Sequence, residues 1–372
     1  MPASRSSRSA RSLSPQVRRA LLRGILKKVS RSFYLSLIVL PTCVREQVSL
    51  AYLFCRAADT LADTRILPHQ ERLQALEVFR RQFCQDAPAT EELMQLRDVL
   101  LPHQAQEGER HLLHHLPDCF HLFARLSVVD QQLIRELVLT LTRGMEMDLT
   151  QFPSETPGIV HALPDLATLD LYTYYVAGVV GEFWTRIHAA HIPSLQRQEL
   201  QSLCTLGVRF GKGLQMTNVL KDLGRDLHAG RCYLPEAQLQ ELQVSPQELL
   251  DPTIGTRIQP LIGKLTWYTL EHLEQARDYI LRLPRHTVRL RLSCMWPLLF
   301  AVQTLEAVCT SEVLLHPQAR VKISRQAVYR TMAWSLCCVA FPRVFTWYYA
   351  RLRQRLIARL YAHTACSMRH CN

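Results

Sequence analysis

Four aspartates, set in two pairs far apart in the chain, carry the most specific chemical signal. Asp59 and Asp63 close the segment Tyr52-Leu-Phe-Cys-Arg56-Ala-Ala-Asp59-Thr-Leu-Ala-Asp63, and Asp222 and Asp226 close Gln215-Met-Thr-Asn218-Val-Leu-Lys221-Asp222-Leu-Gly-Arg-Asp226. On a helix of 3.6 residues per turn, carboxylates at i and i+4 project from one face, one turn apart. Arg56 and Tyr52 continue the first stripe; Gln215 and Asn218 continue the second, while Met216, Val219, Leu220 and Leu223 turn toward a core. Like charges at this spacing cost a helix a few tenths of a kcal/mol. A single pair of this kind reads as a solvated helix face. A duplicated pair, flanked by amide, tyrosine and arginine groups, calls for a cation that offsets the repulsion. Oxygen-only ligands suit Mg²⁺, with Mn²⁺ able to stand in, and Mg²⁺ is normally completed by waters and substrate phosphates. The substrate that such a site implies is a diphosphate.

To face each other, the two stripes must belong to packed helices. The chain has 372 residues, only 13 glycines, little strand alternation and no stretch that reads as a linker between two cores, which points to one large all-α domain. Apolar residues recur with helical period through 133–149, 195–226 and 261–281, and Pro41, Pro153, Pro193 and Pro284 stand where helices should end. The expected organisation is a basic arm over 1–29, disordered or lying on a membrane surface, a helical domain over 30–360, and a short tail over 361–372. A central cavity between the two Asp-rich helices is expected. Its chemistry would be ionisation of an allylic diphosphate: the metal acts as a Lewis acid on the leaving group, cationic side chains complete the clamp, and apolar walls keep water from the carbocation.

The formal net charge of +12 is unevenly spread. Residues 1–45 and 313–372 each hold ten Lys or Arg and no acid, leaving 46–312 with 24 basic against 32 acidic side chains. Basic ends on an acidic middle fit peripheral contact with an anionic membrane, at about 1 kcal/mol per Lys or Arg near the surface. No zinc-finger spacing or RNA-reading aromatic motif supports a nucleic-acid partner. The most apolar late stretch, 333–350, is broken by Pro342 and Arg343 and falls short of the ~20 residues of a span. Residues 1–17 lack the apolar run of a secretory signal. A cytoplasmic, monomeric chain, peripheral at a membrane face, is expected. Twelve cysteines without a CxxC pair read as reduced thiols. His111, His114 and His115, near Glu107 and Glu109, have a spacing compatible with metal ligation but read better as a solvated helix end.

Beyond these features, several blocks in a fixed order resemble the squalene and phytoene synthases, which join two prenyl diphosphates head to head. The likeness runs from about Ser30 to about Leu356. Ser30-Arg31-Ser32-Phe33 resembles the family's N-terminal substrate-binding block. Residues 52–63 resemble its first Asp-rich motif, in a form closer to squalene synthases, and residues 215–226 with Gly230-Arg231 resemble the second. Gly144-Met-Glu-Met-Asp148 is similar to a mid-chain block, and Tyr172-Thr-Tyr-Tyr175-Val-Ala-Gly178-Val-Val-Gly181 to the block that bears the catalytic tyrosine. Residues 321–328 resemble, with one residue missing, the basic segment that squalene synthases use for NADPH.

The resemblance implies an isoprenoid-synthase fold and a set of roles. Asp59, Asp63, Asp222 and Asp226 would hold Mg²⁺ and two farnesyl diphosphates per turnover. Arg56, Lys221, Arg231, Tyr52, Ser30, Arg31, Phe33, Gln215 and Asn218 would line the substrate or the metal shell. Tyr172 would assist proton removal or steer the cation, and Lys322 and Arg325, with Asn218, would meet NADPH. The implied activity is squalene synthesis through presqualene diphosphate. The nearest alternative is a phytoene, dehydrosqualene or presqualene diphosphate synthase that uses no NADPH; a non-catalytic lipid-binding protein of the same fold is the more distant one. Three departures bear on this choice. Lys221 stands where an arginine is usual, replacing a bidentate clamp with a point charge. Ser293 replaces an aromatic, and Arg231-Cys-Tyr-Leu-Pro235 reads as phytoene-type.

Overall fold

The computed structural model describes residues 14–30, 33–85, 90–154, 156, 158–318 and 320–369; Arg31 lies outside the described residues. The helices that build the site and its surroundings are α1 (Thr42–Asp63), α2 (Glu107–His114), α3 (Val128–Gln151), α4 (Val179–His191), α5 (Leu200–Lys221), α6 (Gly255–Arg282), α7 (Val288–Cys309), α8 (Arg325–Cys338) and α9 (Pro342–Arg369). Among the described residues the fold is all-α, apart from one small parallel ribbon. Pro41 precedes α1, Pro153 follows α3, Pro193 follows α4 and Pro284 follows α6, each where a missing N–H and a fixed φ are tolerated. Pro342 opens α9, four residues after α8 ends.

Two prolines behave otherwise. Pro260 and Pro297 lie inside α6 and α7. Inside a helix, proline removes the donor for the carbonyl four residues back, which for Pro297 is that of Ser293.

The Asp-rich face of α1 is fixed from behind. Phe54, on the side turned away from the two aspartates, is fully buried among Phe79, Phe83, Phe120 and Phe123, with ring centroids 4.8 to 6.5 Å from its own. Edge-on and tilted rings of this kind add to the apolar burial itself. α4 and α5 approach through glycines. A Cβ on Gly181 would lie 1.8 Å from the carbonyl oxygen of Gly207, and one on Gly211 would lie 2.0 Å from that of Ala177. A π-helical turn, Tyr174–Gly178, joins the helix Leu166–Thr173 to α4.

The ribbon pairs β1 (His161–Leu163) with β2 (Arg231–Pro235) in parallel, His161 opposite Arg231. Alternation along β2 puts Arg231 and Tyr233 on one face. The basic N-terminal segment is helical from Pro15 on, through Pro15–Arg19, a π-helical turn Ala20–Ile25, and Leu26–Ser30. Leu21, Ile25 and Val29 are buried there; their i, i+4, i+8 spacing is an apolar stripe that needs a partner. Residues 1–13 lie outside the described residues. Among the described residues, α7 alone is long and apolar enough to cross a membrane, and 72% of that stretch is buried inside the protein.

Candidate active site

α1, α5 and the short helix Leu223–Leu227 that follows α5 contribute to one cavity of about 1010 Å³. Its wall includes all four aspartates, Asp59, Asp63, Asp222 and Asp226, together with Phe33, Tyr52, Arg56, Tyr172, Gln215, Asn218, Lys221 and Arg231. Segments more than 150 residues apart thus meet as their stripes require. The same wall carries apolar side chains, among them Leu137, Val180, Phe183, Phe210 and Leu214. Phe33 stacks on Tyr52 with ring centroids 5.7 Å apart and meets Trp184 edge-on at 6.3 Å.

Each aspartate is held by a cation. Arg56 donates to Asp59 and to Glu109 on α2. Arg231 pairs with Asp63 at 3.3 Å and with Asp148 on α3 at 2.9 Å. Lys221 Nζ donates to Asp222 at 2.6 Å and to Asn218 at 2.9 Å, and Arg225 lies 3.3 Å from both Asp222 and Asp226. Burial and the neighbouring Asp63 charge push the Asp59 carboxyl up to about 6, against the pull of Arg56. Burial pushes Asp226 up to about 6, against the pull of Arg225, with Asp222 adding to the rise. Asp148 also rises to about 6 through burial, opposed by Arg231 and by the Tyr233 hydrogen bond. Burial works against the charge on Arg231, but Asp148 and Asp63 outweigh it and hold its pKa above the ordinary value.

Behind these charges runs a short chain of hydroxyls. Tyr172 donates to Tyr233 at 3.3 Å, and Tyr233 donates to Asp148 at 2.7 Å. Burial and the charge of Asp148 raise both phenols well above their ordinary pKa, so both are protonated at neutral pH.

Among the described residues, no three His, Cys, Asp or Glu side chains converge as a ready metal set. The donors are instead two all-oxygen carboxylate pairs, crowded enough to raise Asp59. That chemistry fits Mg²⁺, whose shell is shared with water and phosphate. The histidine cluster turns elsewhere: His115 pairs with Asp118 at 2.8 Å, and His111 lies 3.8 Å from Glu107.

Three expected site residues lie apart from the cavity wall. Ser30 is buried, its Oγ donating to the carbonyl of Leu26 at 2.5 Å. Lys322 and Arg325 are exposed at the start of α8, where Ser324 caps the helix by accepting from the Ala327 N–H. Ser293 does line the cavity, with its Oγ donating to the carbonyl of Leu290 at 2.7 Å. Conversely, Asp148, Glu109, Tyr233 and Arg225 line the site without having been assigned a role from the sequence. The signal for Asp148 is present there: it continues the stripe of Leu137, Leu141 and Met145, and an acid on an apolar stripe asks for a buried partner.

A family model described as squalene/phytoene synthase matches residues 26–327. The chain is 29% identical over 252 residues to the presqualene diphosphate synthase of Zymomonas mobilis, covering 68% of this chain and 72% of that protein. It is 28% identical over 272 residues to a bifunctional lycopene cyclase/phytoene synthase of Gibberella fujikuroi, covering 70% of this chain and 43% of that protein. The chain therefore spans less than half of that bifunctional relative. In three dimensions it is similar to TcSQS bound to the ligand BPH1237, with a TM-score of 0.75 at 20% identity, covering 95% of this chain and 98% of that one. At that identity the likeness bears on the fold.

Proposed function

Because the chain belongs to the squalene/phytoene synthase family, we propose that it condenses two farnesyl diphosphates head to head into presqualene diphosphate. As the likeness of residues 321–328 implies, NADPH would then reduce that product to squalene. The observation that carries the reading is the meeting of both aspartate pairs, with Arg56 and Arg231, in one cavity whose wall also carries many apolar side chains. Its volume of about 1010 Å³ stands at the top of the roughly 300–1,000 Å³ usual for small-molecule sites, as two C15 chains demand.

Asp59, Asp63, Asp222 and Asp226 would hold Mg²⁺, which when bound neutralises the departing diphosphate as a Lewis acid. Arg56, Lys221 and Arg231 orient the phosphate oxygens and take up developing charge. The C–O bond of one substrate breaks, its electron pair leaving with diphosphate. The double bond of the second substrate then attacks the allylic carbon, and loss of one proton closes the cyclopropane ring. Tyr172, hydrogen-bonded to Tyr233 and through it to Asp148, would steer that proton. Phe33, Phe183 and Phe210 exclude water from the cation.

A second reading, release of presqualene diphosphate without reduction, is favoured by one feature. Lys322 and Arg325 stand exposed and outside the cavity wall, so these two residues do not fit a nicotinamide held over the site. Incubation with farnesyl diphosphate and Mg²⁺, with and without NADPH, followed by mass spectrometry, separates the readings. Squalene formed only with NADPH supports the first. Presqualene diphosphate under both conditions supports the second, and absence of any C30 product overturns both.

A further inference from the structure

The first turn of α2 reads Glu107-Gly108-Glu109-Arg110, and its two acids take different directions. Glu107 is exposed and accepts from Lys28 Nζ at 2.8 Å. Glu109 shares a face with Leu112 and Leu113, three and four residues on, and all three are buried. A carboxylate on an apolar helix face costs stability unless a charged partner meets it. Arg56 of α1, 53 residues earlier in the chain, is that partner. α2 is held in place from its other side, since a Cβ on Gly108 would lie 3.1 Å from the Lys28 Cβ. Packing and an ion pair outside the cavity thus fix where Glu109 stands.

The Arg56 guanidinium is a fork between two carboxylates, Nη1 donating to Asp59 and Nη2 to Glu109. The two acceptors are not equivalent. Glu109 is the more enclosed, its side chain 11% exposed against 40% for Asp59, and charges attract more strongly where water is further away. The buried Nε of Arg56 has no partner among the described residues. Arg231 repeats the pattern between Asp63 and Asp148, where again the acid outside the two motifs is the more enclosed.

We propose that Glu109 is the positioning residue of Arg56. It keeps the guanidinium at the cavity wall where Asp59 would be drawn to a cation, so that Nη2 stays anchored while Nη1 and Nε are left to donate to a diphosphate oxygen. A guanidinium has five N–H donors in a fixed plane, so holding one edge aims the rest. Without the anchor, Asp59 would be the one acid left to Arg56 among the described residues, and the arginine would follow that carboxylate instead of meeting the diphosphate. An ion pair that served the fold alone would have no need of one enclosed and one open acceptor. The role rests on the diphosphate chemistry proposed above, and Glu109 acts in it through Arg56.

The test is calorimetric titration of the full chain with a non-ionising thio analogue of farnesyl diphosphate, at rising Mg²⁺ up to saturation. It compares the parent with Glu109→Gln, Glu109→Ala, Arg56→Ala and the Arg56→Ala/Glu109→Ala double variant. Glu109→Ala should weaken binding about tenfold or more, and the loss should persist at saturating Mg²⁺. Glu109→Gln keeps an acceptor of the same shape without the charge and should lose less, at a circular dichroism spectrum and thermal midpoint near those of the parent. In the Arg56→Ala background, Glu109→Ala should weaken binding no further, because nothing remains to position; the double-mutant cycle reads this coupling. Parental affinity in both Glu109 variants, or the same loss with and without Arg56, overturns the proposal. So does a loss that saturating Mg²⁺ abolishes entirely, since Glu109 would then be a metal ligand. A parent that does not bind the analogue at all overturns the proposed function together with this role, whereas a parent that binds beside unaffected Glu109 variants overturns the role alone.

Discussion

At Asp59 and Asp222, charge should matter more than volume, because both side chains line a cavity and neither fills the core. Asp59→Asn and Asp222→Asn should each lower product formation at saturating Mg²⁺ by at least about 100-fold while leaving the circular dichroism spectrum and thermal midpoint near those of the parent. Near-normal turnover in either variant would remove the metal role. Tyr233 tests a different link. Tyr233→Phe keeps the ring beside Tyr172 but breaks the hydroxyl chain to Asp148; kcat should fall about tenfold or more with KM little changed. A raised KM at unchanged kcat would make Tyr233 a binding residue. The four aspartates and Arg56 were legible in the sequence because their signal is local, an i, i+4 spacing repeated. Glu109 and Tyr233 were not, because each matters through a partner far along the chain: Glu109 through Arg56, Tyr233 through Asp148. Spacing within one segment is silent about such pairs. Asp148 is the intermediate case, marked by its place on an apolar stripe but given a partner only by β2.

Helices were legible where prolines and apolar periodicity agree, as at Pro41, Pro153 and Pro284. Elements whose signal is short or long-range were not. β1 and β2 span three and five residues, too few for alternation to register, yet β2 positions Arg231 and Tyr233. The close approach of α4 and α5 is likewise a property of two segments, since Gly178-Val-Val-Gly181 states only half of it. Gly211→Ala would force a methyl to within 2.0 Å of the Ala177 carbonyl oxygen. It should cost about 1–3 kcal/mol or more, read as a lower denaturant midpoint at unchanged slope; a parental midpoint would argue against this helix contact. α4 also buries His188 completely, its ring in hydrogen-bond contact with the Trp184 carbonyl at 2.6 Å, and burial lowers its pKa from 6.5 to about 4. The unfolded chain then binds the proton more readily between those values, so stability is complete above the ordinary pKa and is lost as pH falls toward the lowered one. From about pH 7 to about pH 5 this single group should remove about 2 kcal/mol. His188→Phe should shrink that acid loss by a similar amount in denaturant titrations at the two pH values, and an unchanged acid loss would mean His188 does not titrate this way.

The fold as a whole brings two half-sites together without completing either. α1 supplies Asp59 and Asp63 and the end of α5 supplies Asp222, with Asp226 one turn on, and each carboxylate already leans on a cation of the protein. Under the proposed function, Mg²⁺ alone would have to compete with Arg56, Lys221, Arg225 and Arg231 for those oxygens, and a diphosphate alone would have to approach four carboxylates. Together they would exchange partners: the metal would be held by the aspartates, and the freed cations would turn to the phosphate oxygens. Each ligand should therefore raise the affinity of the other, a coupling that is reciprocal by thermodynamic necessity. In thermal unfolding of the full chain, Mg²⁺ or a non-ionising thio analogue of farnesyl diphosphate alone should shift the midpoint little. The pair, with each component near 100 times its Kd in the ternary complex, should stabilise by about 2.7 kcal/mol or more, a rise of a few degrees. The same pair applied to Asp222→Asn should lose most of that gain. If Mg²⁺ alone produced the full shift in the parent, the four carboxylates would form a closed metal site of their own, and the interleaved cations would serve the fold and not the diphosphate.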